Sequence, residues 1–342
     1  SKLIEQLLNN GTYNPLRVIG VDNSESELFK LDQKYLAEER VSFEFIDIRD
    51  CESLINVMTD IDVVFHCAAL KHVVVCERSP SEALKTNILG VQNIIAAAKK
   101  NNVGQVIFTS SDKAVNPTNV MGTTKLMGER LITAANYGPS DNKTVFASTR
   151  FGNVLGSTGS VVPIFQNQIA AGGPLTLTDI NMTRFIMNSL QAVKLIIDTA
   201  GLAKGGEVFI TKMPVLRIED LARTMIKNLA SNYGFDPKEI KMKIIGSKPG
   251  EKLYEELMNS EETRRSIELQ NYFVVKPAFS GLYKSIEYNY ENIVNQNIKS
   301  TYISSREKHL TEEEILKVLE EARVLSSRKN AFVNRYWPGD KH

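Results

Sequence analysis

The stretch Val106-Ile107-Phe108-Thr109-Ser110-Ser111-Asp112-Lys113-Ala114-Val115-Asn116-Pro117-Thr118-Asn119-Val120-Met121-Gly122-Thr123-Thr124-Lys125 joins a short apolar run to a helical pattern. The β-branched and aromatic residues at its start predict a buried strand, and the polar residues after them predict a loop. Asp112 and Lys113 place a carboxylate beside an amine in that loop. Met121 and Lys125 are one helical turn apart, so they lie on the same face of the helix that follows.

Similar apolar runs alternate with helical patterns through the first part of the chain. The predicted strands cover residues 17–21, 43–46, 63–66, 106–109 and 145–148, and two long helices are predicted over 81–101 and 121–135. Alternation of this kind indicates a parallel sheet covered by helices on both faces, with its ligand at the carboxyl ends of the strands. The predicted fold class is α/β, a Rossmann-like doubly wound parallel sheet.

The start of the chain lacks one part of such a domain. A dinucleotide-binding sheet normally opens with a strand and a glycine-rich turn, whose backbone amides and following helix hold a pyrophosphate. This sequence begins with a helical pattern, Lys2-Leu3-Ile4-Glu5-Gln6-Leu7-Leu8. We therefore expect the first strand and the glycine-rich loop to belong before Ser1 and to be absent from this chain.

The pattern changes after residue 150, where loops rich in Gly, Pro, Ser and Thr separate shorter elements. That change is typical of a smaller lobe that covers a substrate. We predict a dinucleotide-binding domain over residues 1–152, to which 185–212 return. A substrate-binding lobe with a C-terminal tail is predicted over 153–184 and 213–342.

The composition is that of an ordinary globular protein and excludes several classes of function. The chain has 342 residues, of which 42% are hydrophobic and 24% charged, so neither a disordered nor a fibrous protein is expected. Its 41 basic and 40 acidic residues give a net charge of +1, which offers no electrostatic footprint for nucleic acid. No apolar run approaches the roughly 20 residues that span a bilayer, and no signal peptide is apparent. We expect a cytoplasmic chain, alone or as the cytoplasmic domain of a longer membrane-anchored protein.

Cysteine and histidine do not indicate a metal site. The three cysteines are odd in number and lack metal-ligand spacing, and the four histidines are scattered. These residues are Cys51, Cys67, Cys76, His66, His72, His309 and His342. Neither a disulfide framework nor a bound metal is predicted.

Two features of the residues themselves point to a dinucleotide. Asp22 ends a predicted strand about 20 residues beyond the expected glycine turn, the position of the acid that binds an adenosine ribose. A carboxylate there repels a 2′-phosphate, which favours NAD over NADP. Ala68 and Ala69 follow another strand and leave room where the cofactor backbone approaches closely.

A set of motifs, taken in order, resembles a known family. The motifs cover residues 69–73, 112–114, 116–117, 121–125, 150–154, 182–185 and 249–253. Together they resemble the UDP-N-acetylglucosamine 4,6-dehydratases of bacterial glycan biosynthesis, within the extended short-chain dehydrogenase/reductases. That superfamily normally has a tyrosine at the position of Met121, in a Tyr-x-x-x-Lys pair with Lys125. The methionine resembles one subgroup, which includes large membrane-anchored enzymes and soluble relatives.

The resemblance implies NAD as cofactor and assigns residues to it. Asp47 and Ile48 resemble the pair that flanks the adenine, and Asn87 the asparagine that ties strands together near the cofactor. Ser110 is also assigned to the cofactor, and Lys125 to the nicotinamide ribose.

The implied reaction removes water from the sugar without net oxidation. A hydride leaves C4, the C5 proton is removed as the C6 hydroxyl departs, and the hydride returns to C6. The resemblance makes Lys113 the base and Asp112 the acid. These roles require a lowered pKa for Lys113, through burial or a cation such as Lys125, and a raised pKa for Asp112. Met121 cannot deprotonate the C4 hydroxyl, so Asp112 or a water must do so.

The expected substrate, UDP-N-acetylglucosamine, carries two phosphates and needs cations and polar donors. Arg184, which we expect on a loop, and Lys248 are the candidate phosphate ligands. Asn153 is assigned to the phosphate or sugar edge, Glu251 to the uridine ribose or to bracing its loop, and Lys71 to the substrate through its motif.

Other functions remain open at this level. A C5-inverting dehydratase is one, although the loop around Asp112 resembles the subgroup that retains C5. A nucleotide-sugar 4-epimerase would need the tyrosine, and a non-catalytic dinucleotide-binding regulator would have no use for an Asp-Lys pair. By analogy we expect a homo-oligomer that pairs through the helices starting near Ser81 and Met121.

Overall fold

The computed structural model describes residues 1–9, 11, 13–137, 143–157, 159–247, 250–279 and 286–325. The α-helices in chain order are α1 (Lys2–Asn9), α2 (Glu25–Tyr35), α3 (Cys51–Val57), α4 (Val73–Arg78), α5 (Pro80–Leu84), α6 (Gly90–Lys100), α7 (Val120–Ala135), α8 (Val161–Ala170), α9 (Ser189–Leu202), α10 (Ile218–Leu229), α11 (Ser260–Thr263) and α12 (Glu312–Glu321). The strands are β1 (Val18–Asp22), β2 (Val41–Phe45), β3 (Val63–His66), β4 (Gln105–Ser111), β5 (Val145–Phe151), β6 (Asn153–Val154), β7 (Leu175–Leu177), β8 (Thr183–Met187), β9 (Val208–Thr211), β10 (Val215–Arg217), β11 (Met242–Ile244), β12 (Glu256–Met258), β13 (Ser266–Leu269), β14 (Tyr272–Val275), β15 (Ile293–Asn295) and β16 (Tyr302–Ile303).

The chain divides into two compact units. The first contains Ser1–Gly152, Ser189–Met213 and Pro249–Glu307. The second contains Asn153–Asn188, Pro214–Lys248 and Lys308–His342. The sequence analysis assigned all of 213–342 to the substrate lobe. Residues 249–307 instead group with the first unit, because β14 hydrogen-bonds to β9 and extends its sheet.

The main sheet of the first unit has the strand order β15-β13-β14-β9-β5-β4-β3. Strands β3, β4, β5 and β9 are parallel to one another, which confirms the predicted Rossmann-like α/β fold. Strands β14, β13 and β15 continue the sheet in antiparallel pairs, an extension that the sequence analysis did not predict. Within the described residues, β1 and β2 form a separate parallel pair.

Side chains of β4 alternate between the two faces of this sheet. Val106 and Phe108 pack in a buried cluster with residues of α3, α6 and α7. Ile107, between them, packs on the other face with residues of α9 and β9. The strand is therefore apolar throughout because both faces are covered, which is the doubly wound arrangement. Its carboxyl end, at Ser111, carries the loop with Asp112 and Lys113.

The second unit is built around its own apolar core. A short sheet has the order β10-β8-β6, and β7 pairs with β11 in parallel. Residues of α8, α10 and α12 supply much of the buried cluster beside these strands. Strands β6 and β8 carry Asn153 and Arg184, two of the predicted substrate residues.

No helix in the part of the chain that the structure describes is long and apolar enough to cross a membrane.

Arg150 of β5 is the centre of a buried ionic network. Its side chain is 1% exposed, and its Nη2 lies 2.7 Å from Glu129 of α7 and 2.8 Å from Glu262 of α11. Nη1 also donates to the carbonyl of Leu257 in β12, at 2.8 Å. Burial raises the pKa of the Glu262 carboxyl, but the charge and hydrogen bonds of Arg150 outweigh it and the net shift is downward. The Arg150 guanidinium therefore connects α7, α11 and β12 to the parallel sheet.

We expect Arg150→Met to lower the free energy of unfolding by about 3–5 kcal/mol, because two carboxyl groups remain buried without their cation. Urea denaturation followed by circular dichroism measures this loss. The control is Lys194→Met, which breaks an ion pair whose lysine side chain is 66% exposed and should cost less than about 1 kcal/mol. Equal, small losses in both variants would contradict a structural role for the network.

Candidate active site

Asp112 and Lys113 lie in a short helical turn, Asp112–Ala114, directly after β4. The Asp112 side chain is buried at 1% exposure. Its Oδ1 accepts hydrogen bonds from the Ser111 hydroxyl and, at 2.9 Å, from the backbone N–H of Lys113. The Nζ of Lys113 lies 3.1 Å from Oδ1 and 3.3 Å from Oδ2. The structure therefore brings the two predicted acid–base residues into direct contact at the carboxyl edge of the sheet.

A third ionisable group, Glu255, completes this cluster. Glu255 directly precedes β12, is 4% exposed, and places Oε1 at 3.6 Å from Lys113 Nζ. The sequence analysis missed this residue, because nothing in the local pattern relates it to Asp112. The sequence analysis instead named Glu251, in the motif of residues 249–253, as a site residue.

The cluster changes the expected protonation of Asp112. Burial raises the pKa of its carboxyl, but the positive charge of Lys113 and hydrogen bonds from Glu255, Ser111 and Lys113 lower it, and the net shift is downward. The raised pKa expected from the sequence is therefore wrong. Asp112 is a carboxylate in the free protein at neutral pH.

The surroundings of Lys113 also differ from those expected. Its Nζ is within ion-pair distance of two carboxyl groups, those of Asp112 and Glu255. Lys125, which the sequence analysis offered as a neighbouring cation, directs its Nζ to the carbonyl of Thr109. Among the described residues, Lys113 Nζ therefore has two carboxyl neighbours in place of the cation that the sequence analysis expected.

Residues 250–256, here called the clamp segment, hold the loop that carries Asp112. The Nζ of Lys252 donates to the carbonyl of Val115 at 2.8 Å. Thr118 Oγ1 and Asn119 Nδ2 both donate to the carbonyl of Gly250, each at 3.2 Å. The loop between β4 and α7 is therefore fixed by a segment from much later in the chain.

Met121 lies in the first turn of α7 and faces apolar neighbours. It is 4% exposed and packs in a small cluster with Cys76 and Ala83, beside Leu70 and Val73. The sequence analysis expected Asp112 or a water to take the role of the missing tyrosine. The hydrophobic neighbours of Met121 include no group that could do so, and the buried Asp112 carboxylate remains the candidate.

Lys125 is buried one turn further along α7. It is 7% exposed, donates to the Thr109 carbonyl at 2.9 Å, and places Nζ 4.8 Å from the centre of the Phe108 ring. Burial lowers the pKa of Lys125 to about 8. This amine lies against the carboxyl half of β4, close to the loop with Asp112.

The predicted adenine-side residues follow β1 and β2. Asp22 ends β1, and its Oδ1 accepts from the backbone N–H of Ser24 at 2.9 Å. Asp47 accepts from Nε and Nη2 of Arg49 at 2.9 and 2.6 Å, and these hydrogen bonds are the main reason that its pKa falls to about 2. Ile48 is 9% exposed and packs in the core.

The residues after β3 form a second part of the candidate cofactor site. Ala68 is exposed and Ala69 is half-buried. Asn87, which is 2% exposed, accepts from the Leu70 N–H at 2.8 Å and donates to Thr124 Oγ1 at 3.0 Å. The resemblance implied that Asn87 connects strands near the cofactor. In the structure, its hydrogen bonds connect the loop after β3 to α7.

Two buried polar atoms at the strand ends fit a polar ligand such as a dinucleotide. Ser110 Oγ on β4 and His66 Nε2 at the end of β3 are buried and have no hydrogen-bond partner among the described residues. Burial, together with the charge of Lys125, lowers the pKa of His66 to about 3, so its imidazole is neutral. Unpaired buried polar atoms are costly, and a bound molecule would offset that cost. His66 was not predicted as a site residue.

The predicted substrate residues are distributed over both units. In the first unit Lys71 is exposed in the loop after β3, and Glu251 is exposed in the clamp segment. In the second unit Asn153 donates to the Phe185 carbonyl at 3.3 Å. Lys248 lies outside the described residues.

Arg184 does not lie on a loop, as the sequence analysis expected. It is a residue of β8, is 9% exposed, and donates to the Thr183 carbonyl at 2.8 Å. The loop assignment was wrong because this short strand pairs with two neighbours, β6 and β10, and all of its residues are buried. Burial on both faces removes the alternating pattern that reveals a strand.

The parallel sheet, covered by helices on both faces, defines a protein of the Rossmann-like α/β class. Residues 1–277 match the model of the polysaccharide biosynthesis protein family, and the chain belongs to that family. Within the described ranges, no group of three or more His, Cys, Asp or Glu side chains is arranged to hold a metal ion.

Relatives of this chain bear several names. An uncharacterized membrane protein of Methanocaldococcus jannaschii is 47% identical over 313 residues, which cover 92% of this chain and 90% of the relative. A UDP-N-acetylglucosamine 4,6-dehydratase (inverting) of Campylobacter jejuni is 36% identical over 313 residues, 90% of each chain. A UDP-glucose 4-epimerase of Rickettsia bellii is 37% identical over 305 residues, 87% of each chain.

Solved structures share the fold. Pen from Bacillus thuringiensis superposes with a TM-score of 0.85 at 39% identity, covering 95% of this chain and 94% of Pen. DesIV, a dTDP-glucose 4,6-dehydratase of Streptomyces venezuelae crystallised with NAD, has a TM-score of 0.63 at 22% identity, covering 74% of this chain and 82% of DesIV. The second likeness shows a common fold alone.

We expect stability to depend on pH through Lys125. Its folded-state pKa of about 8 lies below the ordinary lysine value, so folding disfavours the ammonium. That penalty is complete below pH 8 and is lost as the pH rises toward the unfolded pKa of about 10.4. The free energy of unfolding of the wild type should therefore gain about 2 kcal/mol relative to Lys125→Met between pH 7.5 and 10.

Urea denaturation of both proteins at several pH values measures this difference. Replacing the exposed Lys100 by Met is the matched control and should give a flat difference over the same range. A wild-type minus Lys125→Met difference that does not change with pH would show that Lys125 is not buried as an amine of lowered pKa.

Proposed function

We propose that this chain catalyses the NAD-dependent 4,6-dehydration of UDP-N-acetylglucosamine to a UDP-4-keto-6-deoxy-N-acetylhexosamine, with the C5 configuration retained, for surface glycan biosynthesis. The observation that carries the proposal is the buried Asp112 carboxylate in contact with Lys113 at the carboxyl edge of the parallel sheet. Family membership and the names of the relatives support a nucleotide sugar as the substrate class.

Bound NAD would supply the hydride chemistry of the reaction, in which a hydride leaves C4 of the sugar and returns at C6. The Asp22 carboxylate would bind the adenosine ribose and repel a 2′-phosphate, which favours NAD over NADP. The other residues proposed to hold the cofactor are Asp47, Ile48, Ala68, Ala69, Asn87, Ser110 and Lys125.

Asp112 is proposed to act first as a base and then as an acid. Because its pKa is lowered, it starts as a carboxylate and can accept the C4 hydroxyl proton. It thereby performs the step for which Met121 has no suitable group. The O–H bond at C4 breaks and one forms on Asp112. The same proton then passes to the C6 oxygen as the C6–O bond breaks and water leaves, so Asp112 ends as it began.

Lys113 is proposed to remove the C5 proton in its neutral form and to return a proton to the same face, which retains the configuration. The carboxyl groups of Asp112 and Glu255, at 3.1 and 3.6 Å from its Nζ, would stabilise the ammonium formed in that step.

The acid–base cluster favours a dehydratase over an epimerase. Epimerisation at C4 requires no group directed at C5 or C6, whereas dehydration requires both a base and an acid there. Lys71, Asn153, Arg184, Lys248 and Glu251 remain the residues proposed to bind UDP-N-acetylglucosamine.

Incubating the full-length protein with UDP-N-acetylglucosamine and NAD in D₂O tests the proposal by NMR. We expect a 4-keto-6-deoxy product that carries one deuterium at C5 in the original configuration. Lys113→Ala should abolish both dehydration and deuterium incorporation, since Lys113 is the residue proposed to remove the C5 proton.

Lys100→Ala, at an exposed helix end, is the control and should behave as the wild type. A 4-epimer as the sole product would establish an epimerase instead. Inversion at C5 would contradict only the proposed retention of configuration and not the dehydration itself. Normal turnover by Lys113→Ala would exclude this lysine as the base.

Substitutions at Met121 test whether the tyrosine function has been moved to Asp112. The side chains that pack around Met121 are hydrophobic, so a phenol hydroxyl is poorly accommodated there, and the larger ring must displace its neighbours. We expect Met121→Tyr to lower kcat by about tenfold or more, the effect of roughly 1–3 kcal/mol of strain and an unpaired hydroxyl. Met121→Leu preserves apolar volume and should remain within about threefold of the wild type.

Steady-state kinetics with UDP-N-acetylglucosamine gives the comparison, with thermal unfolding of each variant as the check on folding. A several-fold gain in kcat for Met121→Tyr would show that the tyrosine role is vacant, and would refute Asp112 as its replacement.

A further inference from the structure

Helix α7 packs against the backbone of Lys113 at a glycine. Gly122 lies in the first turn of α7 and is buried. A methyl group on Gly122 would place its carbon 2.3 Å from the carbonyl oxygen of Lys113 and 3.2 Å from the carbonyl carbon. Because side-chain carbons essentially never come within 3.0 Å of another heavy atom, a side chain at residue 122 is incompatible with this contact. The helix and the loop can therefore touch here only because residue 122 has none.

The backbone of α7 does not itself require a glycine at this position. Gly122 lies within the helix, and its φ is not one of the positive values that favour glycine. In a helix, glycine ordinarily lowers stability relative to alanine. The reason for a glycine here is therefore space, and the group that occupies that space is the peptide of Lys113, the proposed base.

The loop that carries Lys113 is held against movement away from α7. Ala114 and Val115, which follow Lys113, are 1% and 2% exposed. The Val115 carbonyl accepts from Lys252 Nζ at 2.8 Å, and the Gly250 carbonyl accepts from Thr118 Oγ1 at 3.2 Å. A methyl group at residue 122 would therefore push the loop against buried side chains and against the clamp segment.

Helix α7 is also held in place. Its residue Glu129 accepts from Nε of the buried Arg150 at 2.9 Å, which joins the helix to β5. Its residue Lys125 donates to the Thr109 carbonyl at 2.9 Å, which joins the helix to β4. Movement of the helix away from the loop would strain both contacts, so the added methyl group has no easy relief on this side.

The peptide that Gly122 contacts also orients the acid–base pair. The backbone N–H of Lys113 donates to Asp112 Oδ1 at 2.9 Å, and Lys113 Nζ lies 3.1 Å from the same oxygen. Both distances depend on where the Lys113 backbone lies. A misplacement of about 1 Å at reacting groups can lower a rate by roughly a hundredfold.

We propose that Gly122 is a positioning residue for the acid–base pair: because it has no side chain, α7 abuts the Lys113 carbonyl and fixes Lys113 beside Asp112. The catalytic role of Lys113 in this inference rests on the proposed function. The dependence of the Lys113 position on Gly122 is a property of the free protein.

Two glycine-to-alanine variants test this role. Gly201 lies in α9 and is exposed, and a methyl group on it would meet only the hydroxyl of Tyr13, at the far end of a flexible side chain. We expect Gly122→Ala to lower kcat by about tenfold or more, while KM and the Kd for NAD stay within about threefold of the wild type. The control, Gly201→Ala, should keep all three values within about twofold of the wild type.

Thermal unfolding of each variant gives its folded fraction, so that kcat can be expressed per folded molecule. A merely structural role would leave that corrected kcat unchanged. A folded Gly122→Ala with a corrected kcat within about twofold of the wild type would therefore overturn the proposal.

A readout without substrate keeps the inference distinct from the proposed function. In the free full-length protein labelled with ¹³C at lysine Cε, the NMR signal of Lys113, assigned with Lys113→Arg, should shift in Gly122→Ala and not in Gly201→Ala. An unmoved signal in Gly122→Ala would refute the inference even in an active dehydratase. If the wild type makes no dehydrated sugar, the proposed function fails, while this comparison still decides whether Gly122 fixes Lys113.

A crystal structure of the wild type provides the test if Gly122→Ala does not fold. A methyl position on Gly122 that lies less than 3.4 Å from the Lys113 carbonyl oxygen would uphold the close contact. A distance of 3.4 Å or more is ordinary van der Waals contact, leaves room for a side chain, and would overturn the proposal.

Discussion

The contact between one buried guanidinium and two buried carboxylates is the constraint on which the site depends. Arg150 carries no chemistry of its own in the proposed reaction. It joins the parallel strand β5 to α7 through Glu129, and to α11 and β12 through Glu262 and the Leu257 carbonyl. Helix α7 supplies Met121 and Lys125, and the residues just before β12 supply Glu255. The network inside the core therefore fixes both α7 and β12, the two elements that carry these residues near Asp112.

Local parts of this architecture were predictable from the sequence. The strand at 106–109, the loop with Asp112 and Lys113, and the helix over 121–135 were all predicted, because each depends on residues that are neighbours in the chain. Helix α12 also begins with a short-range signal, because Thr311 and Glu314 form a reciprocal capping box. In each case a short-range pattern determines the element.

Contacts between distant parts of the chain could not be predicted. The antiparallel strands β13 and β14 join the sheet through pairing with β9, and no short-range pattern specifies that partner. Arg184 was placed in a loop because a strand buried on both faces shows no alternation. The pKa of Asp112 was expected to rise because its role as an acid requires that. Its actual shift depends on the charge of Lys113 and on Glu255, and the position of Glu255 follows from the tertiary fold.

The clamp segment lies far along the chain from the loop that it contacts, and this has a consequence for synthesis and folding. Asp112 and Lys113 are made early and can form their turn as soon as β4 pairs with its neighbours. Glu255 and the Gly250 carbonyl are made much later, so their contacts with the loop are long-range ones that close late. A nascent chain that has reached only the parallel strands would hold the Asp112 carboxylate and the Lys113 amine without Glu255 beside them. The ribosome must therefore add residues 249–307 to the first unit before the acid–base cluster is complete.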